Sequence, residues 1–98
     1  MPKGYIIGHI TVTDSEAYQE YIDKDTPILK ALGARFIVRG GRHEVPEGEA
    51  HDRHVVIEFD SYEAALNAYN DAEYQKVMAI RHATARSNII VVEGHDDD

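Results

Sequence analysis

The sequence predicts an α+β domain, because strand and helix signals follow one another along it in the order βαββαβ. Side chains alternate between two unlike faces from Tyr5 to Val12, which indicates a strand. Apolar residues then recur at helical spacing as far as Leu32, a strand completes the first half, and a second strand, helix and strand follow. Right-handed crossovers leave few topologies for this order. We therefore expect a ferredoxin-like fold, a four-stranded antiparallel sheet with two helices on one face.

The first strand presents two different faces. Ile6, Ile10 and Val12 share one face with Gly8, while the opposite face carries His9. The first face is fully apolar, so it is the one that we expect the helices to cover.

The first helix begins after Thr13 or Asp14, either of which can cap it, and runs to about Leu32. Pro27 lacks a backbone donor, so we expect the helix to kink or restart after Thr26. Helical spacing gives this helix a core face formed by Tyr18, Tyr21, Ile22, Asp25, Ile28, Leu29 and Leu32.

The next two strands span residues 35–39 and 54–59. Between them, Gly40-Gly41 is expected to form a bulge, and residues 42–45 then continue towards a turn at residues 46–49. This register covers one sheet face with the helices and places on it Ile6, Ile10, Phe36, Val38, Val55, Ile57 and Phe59. The face without helices then carries Tyr5, Ile7, His9, Ile37, Arg39, His54, Val56 and Glu58.

The second helical region begins at Asp60 or Ser61 and is interrupted at Asn70-Asp71. The last strand covers residues 88–93. A further helical stretch precedes it, and one side of that stretch carries Tyr74, Val77, Met78 and Arg81.

A single sheet of this kind leaves its second face bare. That face mixes apolar with charged side chains, and such a surface is costly to expose. We therefore expect a homodimer in which two sheets stack face to face and close a barrel.

Length and charge restrict the possible partners. The 98 residues suit one ferredoxin-like domain, residues 1–94, followed by a disordered acidic tail, residues 95–98. The net charge of -8 repels phosphate backbones and anionic lipids, so neither nucleic acid nor a membrane is expected as a partner. Without cysteine there are no disulfides or thiolates, and without a long apolar run or a signal-like N-terminus we expect a cytoplasmic protein.

The sequence also resembles a known family. The stretches that carry the resemblance are GYIIGHITVTDSEAYQEY, ARFIVRGGRHEV, HVVIEFDSYEAALNAYNDAEYQ and NIIVVEG, with the motifs Arg39-Gly40-Gly41, Ile57-Glu58-Phe59, and Tyr69 followed by Tyr74. They resemble the domain of unknown function 1330 (DUF1330) family over nearly the whole chain. The resemblance implies the fold of the dimeric α/β-barrel superfamily and a dimer. It implies no single activity, because relatives include cofactor-free oxygenases, decomposing enzymes and small stress-related proteins.

The candidate catalytic residues lie on the predicted strands and the candidate ligand-binding residues on the second helical region. The guanidinium fork of Arg39 suits a substrate carboxylate or enolate, and His9 or His54 can move a proton near neutral pH. Alternatively, Arg39 and Glu58 form an interface ion pair and the histidines are hydrogen-bonded core residues. The full set is His9, Arg39, His54 and Glu58 as catalytic residues, with Tyr69, Tyr74 and Arg81 as ligand-binding residues.

These residues predict a small homodimeric domain that binds a small anionic or phenolic organic molecule, with cofactor-independent proton transfer or oxygenation as its chemistry. The alternative is a structural or regulatory dimer without catalytic activity, so whether the chain is an enzyme stays open. No cofactor or metal ion is predicted. His54 and Glu58 lie about 13 Å apart along one strand, too far to share one ion easily.

Overall fold

Four strands and three helices make up the chain in this computed structural model, which describes residues 2–96. The strands lie side by side in the order β2-β3-β1-β4 with antiparallel neighbours. The predicted α+β fold, with a four-stranded antiparallel sheet and helices on one face, is confirmed. In chain order the elements are β1 (Gly4–Val12), α1 (Ser15–Ala31), β2 (Arg35–Arg39), β3 (Arg53–Phe59), α2 (Tyr62–Tyr69), α3 (Ala72–Thr84) and β4 (Ala85–Glu93).

Helix α1 begins after Asp14, whose carboxylate accepts a hydrogen bond from the backbone N–H of Ala17 at 3.2 Å. The helix continues through Pro27, so the expectation that it restarts after Thr26 is wrong. Proline removes only one intrahelical hydrogen bond. The Thr26 hydroxyl adds one by donating to the carbonyl of Ile22 at 2.7 Å. One continuous helix therefore presents its buried face to the sheet.

Strand β2 contains a β-bulge that the sequence analysis placed elsewhere. Phe36 and Val38 face successive residues of β3, which leaves Ile37 without a partner. The extra residue shifts the alternation of everything after it. Arg39 consequently pairs with Val55, a buried residue on the helix-covered face. The expectations that Val38 lies beneath the helices and Arg39 on the bare face are therefore wrong.

The chain leaves the sheet after Arg39, and residues 40–52 form neither helix nor strand. The predicted bulge at Gly40-Gly41 and the continuation through residues 42–45 are therefore wrong. Gly40 has a φ of +66°, and a Cβ there would overlap the guanidinium of Arg53. Only glycine allows the backbone to turn at this point.

The core lies between the sheet and the helices. From the sheet it includes Ile6, Ile10, Val55, Ile57 and Phe59, and from the helices Tyr18, Tyr21, Leu29, Ala65, Ala68, Tyr74 and Met78. The second helical region divides at Asn70 as predicted, with Ser61 capping α2 and Asp71 capping α3.

The end of the chain differs in part from expectation. Strand β4 begins at Ala85, earlier than the predicted start at residue 88. Residues 97 and 98 lie outside the described part of the chain, so the disorder expected for residues 95–98 stays a prediction. No helix within residues 2–96 is long and apolar enough to cross a membrane.

The second sheet face, here called the open face, is not covered by any element of the described chain. Its apolar residues include Val38, Ile90 and Val92, which are 43%, 51% and 38% exposed. Polar groups lie among them, as the alternation of β1 and β3 predicts.

Candidate functional site

A narrow cavity lies between the helices and the sheet. Together with its mouth it encloses about 410 Å³ of space free of atoms, of which about 30 Å³ is open to the centre of a water molecule. Aliphatic, aromatic and charged side chains line it, contributed by Ile6, Gly8, Ile10, Tyr18, Tyr21, Ile22, Asp25, Phe36, Arg39, Arg53, Val55, Ile57, Tyr74, Arg81 and Ile89. Apolar walls with a few polar groups are the usual make-up of small-molecule sites.

Arg39 forms one polar group of the cavity. Its Nη2 donates to the Thr26 hydroxyl at 2.6 Å and lies 3.4 Å from Oδ1 of Asp25. Its Cζ lies 4.0 Å from the centroid of the Phe36 ring, within the range of a cation–π contact. The bulge in β2 produces this arrangement, because it turns Arg39 towards α1.

Asp25 is a carboxyl group within the core face of α1 and is 4% exposed. Burial raises its pKa to about 6, although Arg39 and the hydrogen bond from Thr26 act in the opposite direction. A carboxyl with this pKa takes up and releases protons close to neutral pH. Asp25 therefore has the acidity of a general acid or base.

Two tyrosines connect the helices beside the cavity. The hydroxyl oxygens of Tyr21 on α1 and Tyr74 on α3 share a hydrogen bond of 2.7 Å. Burial raises the pKa of both phenols, so both are neutral at physiological pH. The cavity therefore has hydroxyl groups that donate and accept hydrogen bonds, and no tyrosinate.

Two further arginines bring positive charge to the cavity. Arg81 on α3 is buried, and its Nη1 donates to the Ser87 hydroxyl at 2.5 Å. Its Nε and Nη2, and Nε of Arg53, are buried without a hydrogen-bond partner. Among residues 2–96, neither arginine forms an ion pair, whereas Arg39 is paired with Asp25. The cavity thus has more positive than negative charge.

Comparison with known proteins identifies the family. The sequence model of DUF1330, a domain of unknown function, matches residues 3–95. The chain belongs to the DUF1330 family. No curated protein matches its sequence.

The DUF1330 chain is similar to several solved structures. A protein of unknown function from Rhodopseudomonas palustris has a TM-score of 0.79 at 18% identity, over 98% of this chain and 85% of that one. SnoaB, a cofactor-independent oxygenase from Streptomyces nogalater, has a TM-score of 0.71 at 8% identity, over 99% and 97%. A Bacteroides thetaiotaomicron protein described as a possible oxidoreductase has a TM-score of 0.60 at 14% identity, over 94% and 97%. At these sequence identities the similarity shows a shared fold and no shared activity.

The seven candidate residues of this DUF1330 domain fall into two groups. Arg39, Tyr74 and Arg81 meet at the cavity. Tyr69 lies beside it, its ring centroid 6.0 Å from that of Tyr74. His9, His54 and Glu58 lie on the open face, on the other side of the sheet.

The predicted contact between Arg39 and Glu58 is wrong, because the two side chains lie on opposite faces. Glu58 instead accepts from Nε of Arg35 at 2.8 Å and from the Tyr5 hydroxyl at 3.3 Å. These contacts lower the pKa of Glu58, chiefly through the hydrogen bond from Arg35. Glu58 therefore belongs to an ion pair on the open face and does not take part in the cavity.

The two predicted catalytic histidines form a cluster of their own. Nδ1 of His9 lies 2.9 Å from Nδ1 of His54, and the His43 ring centroid lies 4.6 Å from that of His54. Burial lowers the pKa of His54, and the nearby His43 and His9 act in the same direction. Within residues 2–96, no group of three or more potential ligands is arranged to hold a metal ion.

Sequence reasoning missed two groups of the cavity as site residues, Asp25 and Arg53, and assigned Tyr21 to the core. Asp25 had a visible signal, since a carboxylate at a core position of α1 is unusual unless it has a partner or a function. Gly8 gave a second signal, because glycine inside a strand often marks a close approach by a ligand. Arg53 lies at the start of β3, and nothing in the sequence distinguishes it from a surface arginine.

Proposed function

We propose that this protein binds a small organic anion in the cavity between sheet and helices. The excess of positive charge carries the proposal: three guanidinium groups line the cavity with one carboxyl, that of Asp25. Buried charges without a counter-charge are costly. An anionic ligand would supply the missing negative charge at Arg53 and Arg81.

The chemistry that this arrangement supports is proton transfer without a cofactor. Asp25, with a pKa of about 6, is largely ionised at pH 7 and could remove a proton from a carbon next to a carbonyl group. Arg39, beside it, would stabilise the oxygen of the resulting enolate. In the oxygenation variant, the enolate would supply the electrons that reduce O₂, and SnoaB, with the same fold, is a cofactor-independent oxygenase.

The proposed assembly is a cytoplasmic homodimer formed through the open face. The exposed apolar side chains of Val38, Ile90 and Val92 support this, since stacking would remove them from water. The cavity lies on the other side of the sheet, so each subunit would keep its own cavity.

One experiment tests binding. The wild type and Arg39→Met are titrated with small carboxylates and phenols and followed by thermal shift, with Arg35→Met as a control on the opposite sheet face. We expect anions to stabilise the wild type and Arg35→Met more than Arg39→Met, because only Arg39→Met removes one of the three positive charges that line the cavity. If no anion shifts the wild type, the binding proposal is wrong.

A second experiment tests the chemistry. The exchange of the methylene protons of phenylpyruvate with D₂O is followed by proton NMR, with an oxygen electrode to detect O₂ uptake. We expect the wild type to accelerate exchange above the buffer rate and Asp25→Asn to abolish the acceleration. If phenylpyruvate binds but neither proton exchange nor O₂ uptake is accelerated, the proposed chemistry is wrong and only the binding proposal remains.

A structural or regulatory dimer without a ligand is the second candidate. The narrowness of the cavity favours it, because only about 30 Å³ is open to the centre of a water molecule. In that case, the cavity groups serve to hold α1, α3 and the sheet together.

A further inference from the structure

The guanidinium of Arg81 is buried but only partly satisfied. The residue is 2% exposed, and Ser87 accepts a hydrogen bond from its Nη1. Nε and Nη2 are buried and form no hydrogen bond of ordinary length and angle, although the hydroxyls of Tyr21 and Tyr74 lie near the guanidinium. A buried donor without a partner is destabilising, because it has lost its hydrogen bonds to water. The fold therefore carries two unused donors at a site that lines the cavity.

The two unused nitrogens lie on the same edge of the planar guanidinium, because Nη2 is on the side of the Nε–H group. Two parallel N–H donors at this edge match the two oxygens of a carboxylate. A phenolate has a single oxygen and would leave one of the nitrogens unpaired. The hydrogen bond to Ser87 holds the opposite side of the guanidinium and fixes the orientation of the free edge.

We propose that the ligand carries a carboxylate that binds side-on to Nε and Nη2 of Arg81. This inference rests on the proposed function and deepens it, since it selects carboxylates from among small organic anions.

The walls of the cavity favour an aromatic group in the rest of the ligand. The rings of Tyr18, Tyr21, Phe36 and Tyr74 line the narrow space. A Cβ on Gly8 would lie only 3.1 Å from Cδ1 of Ile89, so the missing side chain keeps the floor of the cavity open. These walls therefore favour an aromatic carboxylate as the ligand.

Binding requires the walls of the cavity to move apart, because the space open to the centre of a water molecule is only about 30 Å³ and an aromatic ring needs more. The two free nitrogens of Arg81 are not exposed, so a carboxylate reaches them only after a neighbouring side chain moves. The Tyr21 ring lies against the guanidinium, with 5.8 Å between its centroid and Cζ of Arg81, and its hydroxyl is bonded to Tyr74. Because the chain has no tryptophan, a change in tyrosine absorbance or fluorescence would report this movement.

Matched probes test the inference by titration calorimetry at pH 8. Benzoate and cinnamate are the aromatic carboxylates, benzamide is the neutral analogue, and pentafluorophenolate is the single-oxygen anion. We expect the carboxylates to bind the wild type at least tenfold more tightly than benzamide. Arg81→Lys keeps the charge but loses the fork, so it should weaken benzoate at least tenfold and pentafluorophenolate less than twofold. Arg86→Lys, an exposed neighbour, is the control and should leave both unchanged.

The outcomes separate the inference from the proposed function. If pentafluorophenolate binds and the carboxylates do not, or if Arg81→Lys weakens both anions equally, the inference is wrong and anion binding stands. If no anion binds, the proposed function itself fails. If Arg81→Lys does not fold, Ser87→Ala takes its place, because it removes only the hydrogen bond that orients Arg81. We expect Ser87→Ala to bind benzoate at least threefold more weakly than the wild type. An unchanged benzoate affinity would contradict the inference.

Discussion

The ion pair between Arg39 and Asp25 joins the end of β2 to the middle of α1, with 3.4 Å between Nη2 and Oδ1. Asp25 is nearly fully buried, whereas the Arg39 side chain is 25% exposed. The pair therefore sits where the cavity meets solvent, and it combines a buried proton acceptor with a charge that a ligand can reach. Its two members act differently on stability.

Asp25→Asn should stabilise the protein at alkaline pH. The pKa of Asp25 in the folded protein, about 6, lies above its ordinary value of 3.8. The stability that Asp25 contributes is therefore fully present below pH 3.8 and is lost as the pH rises through 6. Asparagine does not titrate. Urea unfolding measures the free energy of unfolding of Asp25→Asn and of the wild type. We expect the variant's value minus the wild-type value to be about 2 kcal/mol larger at pH 8 than at pH 4. The same difference at both pH values would contradict burial of the charge.

Arg39→Met should destabilise the protein more than Arg35→Met. The first change leaves the buried carboxyl of Asp25 without its ion-pair partner, at a cost of about 1–3 kcal/mol once the partial exposure of Arg39 is taken into account. Arg35 pairs with Glu58 and Asp60 at the solvent-facing surface of the sheet, so its loss should cost less than the loss of Arg39. Urea unfolding at pH 7 measures both. An equal decrease in the free energy of unfolding for the two variants would contradict a larger stabilising contribution from the Arg39–Asp25 pair.

Ile90→Lys should dissociate the proposed dimer. Ile90 lies on the open face and is 51% exposed, so stacking a second sheet there would bury the new charge. Light scattering should change from a dimer mass to the 11.0 kDa monomer mass, with the far-ultraviolet circular dichroism retained. Leu66→Lys, at an exposed apolar residue of α2, is the control and should remain dimeric. An 11.0 kDa wild type at low micromolar concentration would contradict the stacked-sheet dimer.

His54 should titrate below the ordinary histidine value of 6.5, because burial and the neighbouring His43 and His9 disfavour its cation. Because the pKa of His54 is lower in the folded protein, the stability that its neutral ring contributes is fully present above pH 6.5. That stability is lost as the pH falls through the folded-state pKa. NMR titration of the His54 ring protons measures this directly. His43→Asn should raise the pKa of His54, and an unchanged value would contradict the electrostatic contribution of His43.

The sequence predicted the element order, the antiparallel sheet and most of the core. Period-two alternation in β1 and β3 and helical spacing in α1 are local signals that burial enforces strongly, so Ile6, Ile57 and Leu29 lie where they were expected. The interruption of the second helical region at Asn70 could also be predicted from the sequence, because the Asp71 side chain caps the next helix.

The tertiary structure alone decided which polar residues share a site. One unpaired residue, Ile37, reverses the alternation of β2 and carries Arg39 from the open face into the cavity. A bulge depends on the partner strand, which local periodicity does not contain. The same holds for Arg81, whose free Nε and Nη2 result from the packing of α3 against α1 and β4. The chain thus determined its fold through local patterns, while long-range packing separated the cavity residues from the histidines and Glu58 of the open face.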